Sequence, residues 1–200
     1  MSAHNKFSLR RLLRARRRAL TGYARACAER RITATLARFI NRRSAQYVAA
    51  YLPFDGEVDL SALIARHPRR FWLPVIRPQG SLQFRAARHL PRFDAPRGGS
   101  QRNRFGIVEP PRSAIKSARR MDLIVLPLVG FDAQGHRLGM GAGFYDRTLQ
   151  YLRRPRPFLI GVAFACQQVS ELPADPWDVP LDAIVTEHGL TRFHHTKGTR

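Results

Sequence analysis

The stretch that decides the fold runs from Asp122 to Arg147 and reads Asp-Leu-Ile-Val-Leu-Pro-Leu-Val-Gly-Phe-Asp-Ala-Gln-Gly-His-Arg-Leu-Gly-Met-Gly-Ala-Gly-Phe-Tyr-Asp-Arg. The unbroken apolar run at 123–129 is typical of a central parallel strand that is covered on both faces. The pattern that follows the glycines predicts a helix over 143–152. A buried strand, a loop and a helix in succession form the repeating unit of an α/β sheet.

Apolar segments on both sides of this stretch extend the pattern. Strands are predicted at 46–52, 71–76, 158–164 and 183–186, and a short helix at about 60–66. This alternation favours an α/β fold with a mostly parallel, doubly wound sheet sandwiched by helices. Ligands bind such sheets beyond the carboxyl ends of the strands, where the loops at 53–59 and 130–143 are expected to lie.

The first 43 residues predict two helices. Ser8 is the expected N-cap of the first, and Thr21-Gly22 separates it from the second. The apolar residues of the first helix recur at helical spacing: Leu9, Leu12, Leu13 and Leu20. Those of the second do the same: Ile32, Leu36, Phe39 and Ile40.

Composition limits the class of protein. The chain has 200 residues, 44% of them apolar and 24% charged, which is ordinary for one globular domain over 1–200. Cys27 and Cys166 form no CxxC or Cys/His pattern, which excludes a disulfide scaffold and disfavours structural zinc. Without a membrane-spanning apolar run or a secretory signal, we expect a cytoplasmic protein. Since no coiled-coil heptad or apolar patch is legible in the sequence, we expect a monomer. Residues 86–120 are expected to be mostly loop with a short hairpin, and 189–200 a frayed tail.

The net charge of +21 is the unusual property of the composition, and 32 of the 35 basic residues are arginine. Residues 1–43 hold 13 basic residues and one acid, for a local charge of +12, most of it in the arginine-rich helical segment 6–43. Such a field attracts polyanions, including nucleic acid and nucleotide phosphates. The alternative interpretation is a general preference for arginine on solvated helix faces.

Glycines at 139, 141 and 143 alternate immediately before a predicted helix. Glycine permits conformations in which successive N–H groups point toward one anion, and a helix N-terminus adds partial positive charge. Arg137 and Arg147 flank the loop with charge. Tyr145 offers a ring for stacking, and Asp146 a hard oxygen for Mg²⁺. The pattern is neither GxGxxG nor a Walker A motif, and a flexible loop that caps the helix is the alternative to a phosphate site.

Three further candidates lie outside this loop. Glu57 follows a strand-end turn and is able to accept hydrogen bonds from a polar heterocycle, or it is an acid favoured by a helix start. Lys6 and Arg10 lie four residues apart on one helix face and are able to clamp phosphates, or they are one basic pair among many. Asp178 is a second candidate Mg²⁺ ligand, or a solvated loop acid.

Taken in order, these motifs resemble the 5-formyltetrahydrofolate cyclo-ligase family from Lys6 to about Thr186. The resemblance rests on five blocks: Lys6-Phe-Ser-Leu-Arg10, the Glu57-Val-Asp59 turn, Gly106-Ile-Val-Glu-Pro110, the glycine-rich block at 127–147 and Trp177-Asp-Val-Pro180. It implies a fold of the NagB/RpiA/CoA-transferase type. It also implies an ATP- and Mg²⁺-dependent ligase that converts 5-formyltetrahydrofolate to 5,10-methenyltetrahydrofolate, ADP and phosphate through a phosphorylated formyl group.

The resemblance also implies site residues. Arg137 and Tyr145 match catalytic positions, and Asp146 and Asp178 match Mg²⁺ positions. The ATP positions are Lys6, Phe7, Ser8, Leu9, Arg10, Arg137, Leu138, Gly139, Met140, Gly141, Ala142, Gly143, Phe144 and Tyr145. The folate positions are Arg10, Leu52, Glu57, Met140, Gly141, Ala142, Gly143 and Phe144.

Three positions depart from the pattern of the family. Leu60 stands where a threonine is frequent, Phe144 where a tyrosine is frequent and Ala142 where a glycine is common. None of the three removes a group that the mechanism needs. Two other functions are weighed against the ligase. One is a nucleic-acid-binding module that uses the arginine-rich helices, and the other is a sugar-phosphate isomerase with Glu57 as its base.

Overall fold

The computed structural model of the chain describes residues 3–89, 101–102, 108–109, 114–152, 155–175 and 177–194. Its four α-helices are α1 (Ala3–Ala19), α2 (Gly22–Arg42), α3 (Ser61–Arg66) and α4 (Phe144–Leu149). Its strands are β1 (Val48–Ala49), β2 (Phe71–Ile76), β3 (Leu82–Ala86), β4 (Gln101–Arg102), β5 (Val108–Glu109), β6 (Ile115–Ser117), β7 (Leu123–Pro127), β8 (Gly130–Phe131), β9 (Arg137–Leu138), β10 (Phe158–Val162), β11 (Ala183–Thr186) and β12 (Gly189–Arg192).

Eight of these strands form one mixed sheet in the order β12-β11-β10-β7-β1-β2-β3-β6. The central strands β11, β10, β7, β1 and β2 are parallel to one another, and β12, β3 and β6 add antiparallel edges. The chain therefore has the α/β fold that the sequence predicts, with a mostly parallel sheet and flanking helices. Within the described residues, no helix is both long enough and apolar enough to cross a membrane.

Alternate residues of the central strands pack on opposite faces of the sheet. Leu123 and Val125 of β7 contact the core beneath α2 and α3, whereas Ile124 and Leu126 contact the core on the face of α4. All four side chains are fully buried. The apolar run of β7 is thus explained by cover on both faces. The predicted apolar residues of α2 are buried as well: Ile32, Leu36, Phe39 and Ile40.

Several element boundaries differ from the predictions. Helix α1 begins at Ala3, so Ser8 lies inside it and is not its N-cap. Leu12 is 48% exposed and does not join the core face of that helix. The strand predicted at 46–52 has ladder pairing only at 48–49, although the N–H of Ala50 still donates to the carbonyl oxygen of Trp72 in β2 (2.9 Å). Helix α4 has six residues and ends at Leu149.

The C-terminal prediction is wrong for residues 189–192, which form β12. Its backbone pairs antiparallel with β11, so this segment is part of the sheet and not a frayed tail. Residues 195–200 lie outside the described residues. The short hairpin predicted within 86–120 corresponds to β4 and β5, which pair antiparallel. In the block at 106–110, only residues 108–109 are described.

Candidate active site

The glycine-rich loop, residues 139–143, connects β9 to α4. Gly141 has φ +104° and Gly143 has φ +66°, both in the left-handed region that favours glycine. A Cβ at Gly143 would also lie 2.9 Å from a guanidinium nitrogen of Arg147. Met140, Gly141 and Ala142 are exposed, so the backbone of the loop is open to a ligand. Because α4 spans only six residues, the charge of this site comes from side chains and loop amides more than from a helix dipole.

Two arginines on different helices donate hydrogen bonds to the glycine-rich loop. Arg147 donates from Nη2 to the carbonyl oxygen of Ala142 (2.6 Å) and from Nε to that of Gly80 (3.0 Å). Arg10, on α1, donates from Nε to the carbonyl oxygen of Gly139 (2.9 Å). The structure thus brings together two blocks predicted separately as phosphate-binding, the N-terminal helix and the glycine-rich loop.

Arg137 is a buried clamp beside this loop, with a side chain only 5% exposed. Its guanidinium pairs with the carboxylate of Asp146 and donates to the carbonyl oxygen of Val179. The predicted catalytic arginine and one predicted Mg²⁺ ligand are therefore direct partners. Arg137 also joins the start of α4 to the segment that carries Asp178.

Tyr145 follows the loop and packs beside the core on the face of α4. Burial raises the pKa of its hydroxyl above the ordinary value, the negative charge of Glu57 raises it further, and Arg137 opposes both. The phenol is therefore neutral and able to donate a hydrogen bond at physiological pH. The charge of Glu57, on the loop at 53–57, therefore acts on Tyr145, which follows the glycine-rich loop.

Glu57 lies at the end of a tight turn, and only 7% of the residue is exposed. Its Oε2 accepts a hydrogen bond from the backbone N–H of Phe54 (3.1 Å), and its own N–H donates to the carbonyl oxygen of Phe54 (3.0 Å). Burial raises the pKa of its carboxyl to about 7, although the charge of Arg17 opposes the shift. A buried carboxyl group that titrates near neutrality is typical of functional sites.

Asp55, two residues before Glu57, was not predicted as a site residue. Its carboxylate, 5% exposed, pairs with Arg14, Arg17 and Arg18 of α1. The spacing of these arginines places them on one helix face. This spacing is the feature of the sequence that indicates a shared anionic partner. Sequence alone could not identify their partner, because the contact joins residues about 40 positions apart.

Lys6 lies near the opposite end of α1 and contacts two carboxylates. Its Nζ lies 2.6 Å from Oδ2 of Asp175 and 3.5 Å from Oδ2 of Asp178. Burial lowers the pKa of Lys6, but the hydrogen bonds and charges of the two aspartates outweigh it and raise the pKa overall. Lys6 is therefore cationic, and it is held beside the second predicted Mg²⁺ ligand.

The remaining predicted residues surround these contacts. Phe7 and Ser8 are exposed on α1 next to Lys6. Leu9 packs against a small core cluster that includes Leu138, where α1 meets the strand before the glycine-rich loop. Leu52 is partly buried at the end of the β1 segment.

Two buried polar residues that the sequence analysis did not single out support the site. Gln167 donates from Nε2 to the carbonyl oxygens of Leu128 (2.8 Å) and Val129 (3.0 Å). Asp132 accepts hydrogen bonds from the backbone and ring of His136 (both 2.9 Å), which gives that histidine a partner not apparent in the sequence. Both residues fix the chain just after β7.

The carboxylates of Asp146 and Asp178 supply the oxygen ligands that Mg²⁺ prefers, but two carboxylates do not complete its coordination. Among the described residues, no group of three or more His, Cys, Asp or Glu side chains is arranged to hold a metal. Mg²⁺ beside nucleotides is commonly held by one or two carboxylates together with phosphates and water. Arg137 and Lys6 neutralise the two carboxylates. Because each carboxylate is already paired with a cation, the residues present fit a metal that brings further negative charge with it, as Mg²⁺ bound to phosphate does.

Both the sequence and the fold of this chain are similar to those of known proteins. The sequence model of the 5-formyltetrahydrofolate cyclo-ligase family matches residues 2–187. A 5-formyltetrahydrofolate cyclo-ligase of Haemophilus influenzae is 37% identical over 186 residues, which cover 90% of this chain and 97% of the relative. The Escherichia coli protein of the same name is 38% identical over 180 residues, which cover 88% and 96%.

Solved structures agree with the sequence relatives. A 5,10-methenyltetrahydrofolate synthetase from Aquifex aeolicus superposes with a TM-score of 0.80 at 28% identity, covering 98% of this chain and 96% of that chain. One from Mycoplasma pneumoniae gives a TM-score of 0.70 at 26% identity, with 91% and 98% covered. The family match spans nearly the whole chain, and the fold agrees with that of the solved relatives, so the chain belongs to the 5-formyltetrahydrofolate cyclo-ligase family and is a ligase-type enzyme.

Proposed function

We propose that this enzyme closes the ring of 5-formyltetrahydrofolate to 5,10-methenyltetrahydrofolate with ATP and Mg²⁺, at the site between α1, the loop at 53–57 and the glycine-rich loop. The observation that supports this most is the meeting of both loops at one helix. Arg10 binds the carbonyl oxygen of Gly139, and Arg17 of the same helix binds Asp55 beside Glu57. A ligand on each loop would therefore lie close to the other.

ATP is proposed to bind between the start of α1 and the glycine-rich loop. The cations Lys6 and Arg10 would contact its phosphates, and the exposed backbone at 139–143 would donate hydrogen bonds to them. Phe7, Ser8, Leu9 and Leu138 border this region. Asp146 and Asp178 would hold Mg²⁺ together with the phosphates, and the metal would supply neutralisation of phosphate charge.

The folate is proposed to bind on the side of Glu57. Its pterin ring carries amino and ring N–H groups, and an ionised carboxylate accepts hydrogen bonds from such groups. Leu52 would contribute an apolar contact, Arg10 would face both ligands, and residues 140–144 would line the pocket. A buried polar pairing of this kind discriminates strongly against analogues that lack the donor groups.

The proposed reaction needs no protein nucleophile. The γ-phosphate of ATP passes to the formyl oxygen of the folate, which turns that oxygen into a leaving group. N10 then attacks the formyl carbon and loses its proton to solvent, and inorganic phosphate departs with the former formyl oxygen. Arg137 would stabilise the charge of the transferring phosphate, and the neutral Tyr145 hydroxyl would donate a hydrogen bond near it.

Isotope transfer tests the phosphorylated step. 5-Formyltetrahydrofolate labelled with oxygen-18 in the formyl group is converted with ATP, and the released phosphate is analysed by mass spectrometry. The proposal requires one labelled oxygen in each phosphate and one ADP per methenyl product. Unlabelled phosphate formed with the same ADP stoichiometry would contradict transfer to the formyl oxygen.

The nucleic-acid alternative loses part of its support in the structure. Three arginines of the basic segment are bound to Asp55, and thus they are not all available to a polyanion. The alternative would be tested by RNA binding that weakens steeply as salt rises. A sugar-phosphate isomerase is not supported by membership of a ligase family. The monomeric state and the cytoplasmic location stay predictions, which gel filtration and cell fractionation would test.

A further inference from the structure

We propose that Asp55 and Arg17 are positioning residues for the folate site, which hold the loop at 53–57 in the one conformation that presents Glu57 to its ligand. This inference rests on the proposed role of Glu57 in folate binding. It concerns how that residue is held, since neither Asp55 nor Arg17 is proposed to touch a substrate.

The first observation is the backbone of Asp55. Its φ of +54° lies in the left-handed region, which residues other than glycine occupy uncommonly. Gly56 follows with φ +80°, and the N–H of Glu57 donates to the carbonyl oxygen of Phe54 (3.0 Å), so residues 54–57 form the kind of tight turn that an Asp-Gly pair favours. The sequence therefore sets the local shape of the turn, and cationic side chains of α1 and α2 hold that turn in its place.

The second observation is the set of contacts that Arg17 makes. This side chain is fully buried and donates from Nη2 to Oδ2 of Asp55 (2.9 Å) and to the carbonyl oxygen of Asp55 (2.8 Å). Its Nη1 donates to the carbonyl oxygen of Leu128 (3.1 Å), beyond the end of β7. Arg17 therefore fastens the loop to the central strand. A buried guanidinium that lost this carboxylate would be left partly unpaired, which is strongly unfavourable.

The third observation is that arginines bind every carbonyl oxygen from residue 55 to residue 57. Arg17 binds that of Asp55, and Arg25 of α2 binds those of Gly56 (3.2 Å) and Glu57 (2.9 Å). With its carbonyl groups held by the helices, the backbone of the turn has one arrangement. The Glu57 carboxylate then closes the turn on the N–H of Phe54.

The fourth observation links this cluster to the nucleotide side. Lys6, Arg10, Arg14 and Arg17 follow one another at intervals of four, four and three residues, so they lie along one face of α1. One rigid helix therefore carries the anchor of the folate loop and the cations proposed for ATP. A positioning role explains why several arginines of the basic segment converge on a single aspartate.

The test is a double-mutant cycle between Asp55 and Glu57, measured as binding of 5-formyltetrahydrofolate without ATP by titration calorimetry. Asp55→Asn keeps the size and the tolerance of left-handed backbone but loses the charge. We expect it to weaken folate binding about tenfold or more, which corresponds to about 1.4 kcal/mol. If Asp55 acts only through Glu57, the double variant with Glu57→Gln binds no more weakly than Glu57→Gln alone.

A matched control separates this effect from a general change of charge on the helix. Arg11→Gln removes a cation from the exposed side of α1 and is expected to leave folate binding unchanged. Thermal unfolding of each variant shows whether it is folded at the assay temperature. If Asp55→Asn does not fold, the double variant Arg14→Gln/Arg18→Gln removes two of the three cations and leaves Arg17 in place. It is expected to weaken folate binding several-fold.

Three results would overturn the proposal, and they are distinguishable. Folded Asp55→Asn, or the arginine double variant used in its place, that binds folate normally would exclude a positioning role. Additive losses in the Asp55 and Glu57 variants would show that Asp55 acts independently of Glu57. Normal folate binding by Glu57→Gln would remove the proposed role of Glu57 itself, and with it the residue that Asp55 is proposed to position.

Discussion

Arg10 and Gly139 lie 129 residues apart in the chain, yet the Arg10 guanidinium donates a 2.9 Å hydrogen bond to the Gly139 carbonyl oxygen. This contact seats α1 against the glycine-rich loop. Arg10 therefore holds the backbone of the loop and is also proposed to contact the phosphates of ATP. A bound nucleotide would then meet a loop whose backbone is already ordered, which reduces the entropy lost on binding.

Replacement of Gly141 should damage nucleotide binding. A valine there would have to adopt φ +104°, and its Cβ would lie 3.6 Å from Cζ of Arg10. We expect Gly141→Val to raise the KM for ATP about tenfold or more, since such strain costs on the order of 1–3 kcal/mol. Gly139 has neither a positive φ nor a neighbour within 4 Å of an added Cβ, so Gly139→Ala should raise the KM for ATP clearly less than Gly141→Val does. Equal losses in steady-state kinetics would contradict this account of the loop.

Asp146 is expected to govern the dependence on Mg²⁺. Asp146→Asn retains a hydrogen-bond acceptor for Arg137 but loses the charge that favours a divalent cation. The Mg²⁺ concentration for half-maximal activity should rise about tenfold, or about 1.4 kcal/mol, while the KM for folate changes little. The measurement is activity against free Mg²⁺ at fixed ATP. An unchanged Mg²⁺ curve would remove Asp146 from the metal site.

Much of the fold was predictable from the sequence, because central strands that are covered on both faces consist of consecutive apolar residues. Strand β11 was predicted with the bounds that the structure shows, and β7 within two residues. Edge strands were missed. In β3, Leu82, Phe84 and Ala86 are buried and alternate with partly exposed residues. This alternation is the pattern of a strand with one buried face, and it is weaker in the sequence than a continuous apolar run.

The residues of the candidate site were predictable only where they lie close together in the sequence, within one motif. Gly141 and Gly143 were identified, and both have the left-handed backbone that makes glycine necessary. The ion pairs between Asp55 and α1 were not predicted. A single sequence does not indicate that an aspartate in a turn pairs with arginines on a distant helix. The basic charge of the helices is thus explained in part by contacts within the protein.

Substitution of Glu57 should separate the two substrates. Glu57→Gln removes the charge that is proposed to accept the pterin N–H groups, so the KM for folate should rise more than the KM for ATP. In the unaltered enzyme, folate kcat/KM should increase as the pH rises through about 7, where the carboxyl ionises. The charge of Arg17 opposes the raised pKa of this carboxyl, and burial keeps Tyr51 and Tyr145, whose pKa values Glu57 raises, neutral across that range. Equal changes in both KM values would argue against contact with the pterin.

The same group predicts how stability depends on pH. Folding raises the pKa of Glu57 from 4.5 to about 7, so protonated Glu57 favours the folded state. That contribution is complete below pH 4.5 and is lost as the pH rises through about 7, an effect on the order of 3 kcal/mol. Urea unfolding at pH 5 and pH 8 should show the native protein losing stability relative to Glu57→Gln. Parallel changes in the two proteins would show that Glu57 is not the group responsible.

The most direct test of the central claim is the near-ultraviolet absorbance of the enzyme mixed with 5-formyltetrahydrofolate and Mg²⁺, with and without ATP. The account predicts that the band of the methenyl product appears only when ATP is present and grows with enzyme concentration. A band that forms equally without ATP, or no band from folded enzyme supplied with all three components, would contradict it.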